Sequence, residues 1–224
     1  MARVGIDLVV FCATEAEAMA ARSVQREPFG HLLCGRVHGT VGHLGGALCL
    51  TVAAGITRKR LENTLQAVTA RFRPRLLVNF GAAGGVGPEI EIGTPTLPRE
   101  ILSYTWPDLA VEGDLIECPA AARLADLDPG VRNTRAGSCR REIRDDAVRH
   151  RLARTLRLDT TDWETYSLAD ACRRLQIPFL ALRCVTDHAD SQARLDYSKN
   201  AAPVLARGAC LLPRLTARAL ELFH

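Results

Sequence analysis

Three stretches of this 224-residue chain are apolar almost without interruption and have the length of a strand: IDLVVFCA (6–13), RLLVNFG (75–81) and PFLALRCVT (178–186). A strand with one wet face alternates apolar and polar side chains, whereas a continuous run needs cover on both faces. Helical spacing fills the intervals. TEAEAMAAR follows the first run, with Thr14 placed to cap it. TRKRLENTLQAVTARF (57–72) aligns Leu61, Leu65, Val68 and Phe72, and ETYSLADACRRLQ (164–176) aligns Leu168, Ala171, Cys172 and Leu175. HLLCGRVHG (31–39) and GALCLTVAA (46–54) read as two more strands, with Gly42, Gly45 and Gly46 between them predicting a hairpin. Residues 145–156 predict a short helix, 157–163 a short strand, and the C-terminal segment helices interrupted near Pro203 and Pro213. The pattern predicts an α/β fold, a three-layer α/β/α sandwich on a central mixed sheet, with residues 1–224 forming one domain. Residues 104–140 are the least regular and are expected to form loops or structure that covers a substrate.

Composition removes several classes of function. No apolar run reaches the roughly 18 residues of a membrane span. The N-terminal run passes straight into acidic residues, which argues against a secretory signal. All but two of the 29 basic residues are arginine, the exceptions being Lys59 and Lys199. They are dispersed among acids, as in RREIRDDAVRHR, and aromatic residues make up only 5% of the chain. A solvated helix face explains this better than a nucleic-acid stripe. The eight cysteines include no CxxC pair, so no zinc ribbon or redox motif is expected. Those at 12, 49 and 184 lie in apolar runs, as free thiols of a reducing, cytoplasmic compartment would.

In open α/β sheets ligands bind at the carboxyl ends of strands. The first strand ends at Glu15 and Glu17, the RLLVNFG strand opens into AAGGVG, and the last ends at Asp187. Asp162 and Glu164 open a further element. GAAGGVG has neither the GxGxxG spacing of a dinucleotide site nor the Lys-Ser/Thr of a phosphate loop. A tight turn and a close backbone approach to a ligand both remain open for it. Taken singly, Glu17 and Glu164 suit the positive end of a helix and Asp187 suits a cap. Together they would converge on one edge of the sheet, and cleaving a glycosidic bond calls for such a set: one acid to protonate the leaving group, another to activate water.

Five segments in order, ATEAE (13–17), AGITR (54–58), NFGAAGG (79–85), DWE (162–164) and TDHAD (186–190), resemble the nucleoside phosphorylase/nucleosidase superfamily. The resemblance is nearest to the 5′-methylthioadenosine/S-adenosylhomocysteine nucleosidases. It implies that Asp187 protonates, or hydrogen-bonds to, purine N7, that Glu17 activates the attacking water, and that Glu164 holds the ribose hydroxyls. Trp163 replaces a methionine beneath the sugar, Asp162 replaces a glutamate, and Tyr197 falls where an aromatic lines the pocket. Ala82, Ala83 and Gly84 would border base and ribose, and Ile56 and Arg58 belong to the AGITR segment of the substrate site. This reading is a homodimer acting on a small purine nucleoside, with no metal or organic cofactor and no nucleic-acid or membrane partner.

The residues also depart from the family. Its S-G-D-x-F segment, which helps to recognise adenine, is represented by GSCRREI (137–143), so the resemblance implies a purine more firmly than adenine. The 5′ substituent is not legible. The related hexameric phosphorylases carry an arginine before the glycine-rich turn and a serine within it, where this chain has Asn79 and Ala82. Glu17 would repel phosphate at the nucleophile's position, which favours water, while Arg58 keeps phosphorolysis as an alternative. A nucleoside-binding protein without catalysis is a further alternative, although binding alone does not require an acid and a base together.

Overall fold

The computed structural model describes residues 3–34 and 37–223. Among the described residues, ten strands form one mixed sheet. β1 (Val4–Cys12) lies in its middle, parallel to both β4 (Ala47–Ala53) and β5 (Phe72–Gly85). The unbroken apolar character of β1 follows from that position. Leu8, Val10 and Cys12 pack into one core, and Ile6, Val9 and Phe11 into another on the opposite face. The first core is closed by α1 (Glu15–Ser23), α3 (Pro119–Asp126), α6 (Ala193–Ala209) and α7 (Leu212–Leu222). The second is closed by α2 (Arg58–Arg71) and α5 (Thr165–Leu175). The chain therefore has the α/β architecture with a mixed sheet between helices that the pattern predicts.

The far half of the sheet curls on itself. β10 (Phe179–Asp187) pairs parallel with β5 and antiparallel with β6 (Pro95–Tyr104). β6 pairs with β8 (Arg132–Ser138), β8 with β9 (Thr160–Asp162), and β9 returns to β5. This closed circuit gathers the ends of β5, β9 and β10 around one opening. A third cluster, including Val86, Tyr104, Ile143 and Leu158, packs there with α4 (Asp146–Thr155).

Four local expectations change. The 31–39 run is not one strand but the end of β2 (Arg26–Cys34) and the start of β3 (Val37–Leu44), which pair antiparallel; positions 35 and 36 lie outside the described residues. The β3–β4 turn does use Gly45 and Gly46, both with positive φ, while Gly42 sits within β3. Residues 104–140 are largely regular and include β7 (Val111–Glu117), α3 and β8. β7 escapes pattern reading because all but one of its residues are exposed, and it is held by pairing to β6. Pro203 lies inside α6 rather than interrupting it. A helical proline forfeits a hydrogen bond, and the buried Val204, Leu205, Gly208 and Ala209 anchor this one.

Candidate active site

GAAGGVG does not form a tight turn at its start. β5 stays extended through Gly85, carried by its pairing with β10 as far as Gly84. This brings Ala82, Ala83 and Gly84 alongside the tip of β10. A cavity of about 400 Å³ opens here, lined among others by Glu17, Ile56, Asp162, Trp163, Glu164, Asp187 and Tyr197, together with Ala82, Ala83 and Gly84. The carboxylates from three separate chain segments face one space. Arg58 is not among them: it pairs with Glu62 through Nε at 2.7 Å and lines an adjoining cavity.

Glu17 is buried and stands at the third position of α1. Its Oε2 accepts from the amides of Ala13 and Thr14 at 2.9 and 2.8 Å, and Oε1 from that of Ala82 at 2.9 Å. Thr14 completes a capping box by accepting from the Glu17 amide. Three backbone donors thus fix the carboxylate at the junction of β1 and β5. Gly81 makes room for it, since a Cβ there would stand 2.4 Å from Glu17 Oε1 and 2.9 Å from Arg183 Nη1.

Glu164 occupies the N-cap position of α5 without capping it. Asp162 caps the helix instead: its Oδ1 accepts from the amides of Glu164 and Thr165 at 3.1 and 3.0 Å and from Ser138 Oγ at 2.7 Å. Its Oδ2 accepts from Thr165 Oγ1 and faces Arg183 Nε at 3.4 Å. The carboxylate of Asp162 is therefore committed to the protein framework. That division leaves Glu164 directed to the cavity. Its Oε1 lies 2.7 Å from Arg183 Nη1, an ion pair in which that oxygen still lacks an aligned hydrogen-bond donor. Burial pushes its pKa up to about 7, assisted by Asp162 and Glu17 and opposed by Arg183.

Arg183 is the residue that reading the sequence missed. It is 1% exposed, in the middle of β10. Nη1 donates to Asn79 Oδ1 at 3.1 Å and Nη2 to the Ala82 carbonyl, while Glu164 and Asp162 take the charge. Asn79 in turn donates to the Phe11 carbonyl and accepts from Thr165 Oγ1. The one signal in the sequence is an arginine inside an otherwise apolar strand, which must have a buried partner.

Asp187 ends β10. It does not cap α6, whose N-cap is Gln192. Its Oδ1 accepts from the Ala189 amide and Oδ2 from Thr186 Oγ1, both at 2.9 Å. Burial raises its pKa above the ordinary carboxylate range, against these two hydrogen bonds and with help from Asp196 and Asp190. Gly84 permits the approach, as a Cβ there would meet Ala189 Cβ at 2.9 Å and Asp187 Oδ1 at 3.0 Å. Asp190 serves the framework, accepting from the Gln192 amide and pairing with Arg149 at 3.6 Å. At the opposite rim Glu142 of the GSCRREI segment lines the cavity and meets Arg194 at 3.6 Å. No group of three or more His, Cys, Asp or Glu side chains among the described residues is arranged to hold a metal ion.

A fold of this kind, with acids at or just past the carboxyl ends of its strands around one cavity, defines a class. The chain belongs to the phosphorylase superfamily, whose sequence pattern matches residues 7–221. Among curated relatives, a 5′-methylthioadenosine/S-adenosylhomocysteine nucleosidase of Oceanobacillus iheyensis is 25% identical over 177 residues, 70% of this chain and 76% of the relative. A Streptococcus pneumoniae MTA/SAH nucleosidase in complex with 8-aminoadenine superposes with a TM-score of 0.83 at 15% identity, over 96% of this chain and all of that one. Futalosine hydrolase of Helicobacter pylori superposes with a TM-score of 0.80 at 12% identity, over 96% and 97% of the two chains. The fold is thus shared by enzymes named for different substrates.

Proposed function

We propose that this protein is a purine nucleosidase, hydrolysing the N-glycosidic bond of a 5′-substituted adenosine such as methylthioadenosine or S-adenosylhomocysteine. The observation that carries this reading is the convergence of Glu17, Glu164 and Asp187 on one cavity. The name of the Oceanobacillus relative supports it. In this mechanism Asp187, protonated, gives its proton to purine N7 as the C1′–N9 bond breaks and its electron pair passes to the base. Its raised pKa suits an acid that must hold a proton. Glu17 takes a proton from the water whose oxygen bonds to C1′. Glu164, with Oε1 lacking an aligned donor, accepts from the ribose hydroxyls, and Trp163 and Tyr197 cover the sugar. The acids stabilise the positive charge that develops on the ribose. Exchange with solvent then returns a proton to Asp187 and removes one from Glu17.

Water is favoured over phosphate on electrostatic grounds. The buried cation of the cavity, Arg183, already faces Asp162 and Glu164, and Glu17 lies beside it, so a phosphate would enter a site where carboxylates outnumber it. Residues 1–224 act as one domain in this reading, in the cytoplasm and as a homodimer. No described helix is long and apolar enough to cross a membrane. The test is release of free base from a panel of 5′-substituted adenosines, inosine and guanosine, with and without phosphate. Release without phosphate is expected, and strict dependence on phosphate would overturn the assignment.

A further inference from the structure

A further carboxylate reaches the cavity of Glu17, Glu164 and Asp187. Glu142 lines it from the segment after β8, and the reaction as drawn gives it no task. The buried Ile143 anchors that segment in the same apolar cluster as Ala189, whose amide donates to Asp187. Arg194, in the first turn of α6, brings its Nε to 3.6 Å from Glu142 Oε1. Glu142 and Arg194 therefore stand at the Asp187 end of the cavity. Glu164 belongs to the other end, against Arg183, which lies on the order of 10 Å back along β10. The Glu142 carboxylate is held without being used up. Its Oε2 accepts from Arg144 Nη2, but the approach of Arg194 is too long for a hydrogen bond, so Oε1 has no donor among the described residues. An ionised carboxylate only accepts, so this oxygen calls for an N–H or O–H from a ligand. The group is this chain's own: set against S-G-D-x-F, the run from Ser138 to Glu142 ends in an acid where the family pattern ends in an aromatic.

We propose that Glu142 selects the base, its Oε1 accepting a hydrogen bond from the amino group of a 6-aminopurine. The inference rests on the nucleosidase reading for the atom that meets Asp187. The chemistry of a purine then sets the direction. N9 carries the ribose and N7 meets Asp187. Next to N7, on the side away from N9, comes the substituent at C6, and after it N1. A base so held turns its C6 edge past Asp187, toward Glu142 and Arg194. The carboxylate takes a proton of the 6-amino group in a hydrogen bond, and the guanidinium offers a donor to N1. A 6-oxo group would instead turn a lone pair on the carboxylate, and a purine unsubstituted at C6 would leave it without a partner.

The experiment compares 5′-methylthioadenosine with its counterparts carrying hypoxanthine or C6-unsubstituted purine, in the parent and in Glu142→Ala. Glu142 sits on an exposed rim, so the variant should fold as the parent does. Dividing each variant kcat/KM by the parent value for the same compound removes the leaving-group reactivity of the base itself. A hydrogen bond to a charged acceptor is worth about tenfold or more, so the amino compound should lose about tenfold more than the unsubstituted one. Discrimination against the hypoxanthine compound should shrink in the same variant. An equal effect on all three compounds, including no effect, would overturn the proposal. Equilibrium dialysis with free adenine and free purine reads the same preference without turnover. Cleavage with an unchanged base preference sinks this proposal alone. No cleavage of any compound, with adenine bound in preference to purine and that preference lost in Glu142→Ala, sinks the hydrolase reading and leaves the base site standing.

Discussion

Replacing Arg183 with methionine keeps much of the side-chain length and removes the charge at the centre of the site. Asp162, Glu164, the Asn79 side chain and the Ala82 carbonyl then lose their shared partner. Breaking a buried ion pair from one side costs about 3–5 kcal/mol, because the charges left behind have no solvent. For a chain of this size that corresponds to a fall in Tm of roughly 10 °C. The pH dependence separates this cause from simple loss of packing. Glu164 titrates at about 7 in the folded protein against an ordinary value of 4.5, and Arg183 is a group that holds it down. In the variant its folded pKa rises further. An acid with a raised folded pKa destabilises the protein as pH climbs from the unfolded value through the folded one. The deficit of Arg183→Met is therefore greatest at about pH 8.5 and should shrink by about 1–2 kcal/mol at about pH 5.5, where Glu164 is protonated. Urea denaturation at both pH values measures it. Adding Glu164→Gln to Arg183→Met should recover part of the loss at high pH, giving a coupling energy from the four-way cycle. A deficit below about 1 kcal/mol, or one that is the same at both pH values, would refute the reasoning.

Asp187→Asn should lower turnover about 10²-fold or more while leaving the fold intact, and an unchanged rate would make Asp187 a structural turn residue only. Because the folded pKa of Asp187 is raised, parent activity should fall on the alkaline side as its proton is lost, and a kcat profile should show that limb vanish in the variant. By the same linkage Asp187→Asn should be more stable than the parent above the raised pKa and no more stable below the ordinary carboxylate range, as thermal melts across pH would show. Gly81→Ala should cost on the order of 10²-fold in kcat/KM, since its Cβ would displace the Glu17 carboxylate. Gly5→Ala, where a Cβ meets nothing within 4 Å, is the control, and equal activity of the two variants would count against Glu17 as the base.

What could be read from the sequence follows from what was local. The runs that became β1 and β10 announced themselves because both faces of those strands are covered, a property each residue reports separately. β7 was silent because a strand exposed along nearly its whole length carries no apolar signature. The acids were legible for a related reason: each sits at or a few residues past the carboxyl end of a strand, where the chain leaves the core for the cavity. Arg183 was not, because its meaning lies in partners far along the chain, Asn79 being 104 residues away. Asp162 and Glu164 looked alike in DWE, and only the direction of α5 decides that the first caps the helix and the second faces the cavity.

The hydrogen bonds behind the site form an unbroken polar seam. From the Phe11 carbonyl it runs through Asn79, Thr165 and Asp162 to Ser138, which accepts in turn from the Tyr166 amide. It stitches β1, β5, α5, β9 and β8 together at one level of the molecule. Opening any of these elements would strand several buried partners at once, so their amides should exchange only when much of the domain opens together. The segment from Arg140 to Arg144 stands outside the seam and is exposed apart from Ile143. The wall that carries Asp162 and Glu164 is thus tied into this seam, and under the proposed reaction any local opening that admits and releases a ligand should come from the opposite rim.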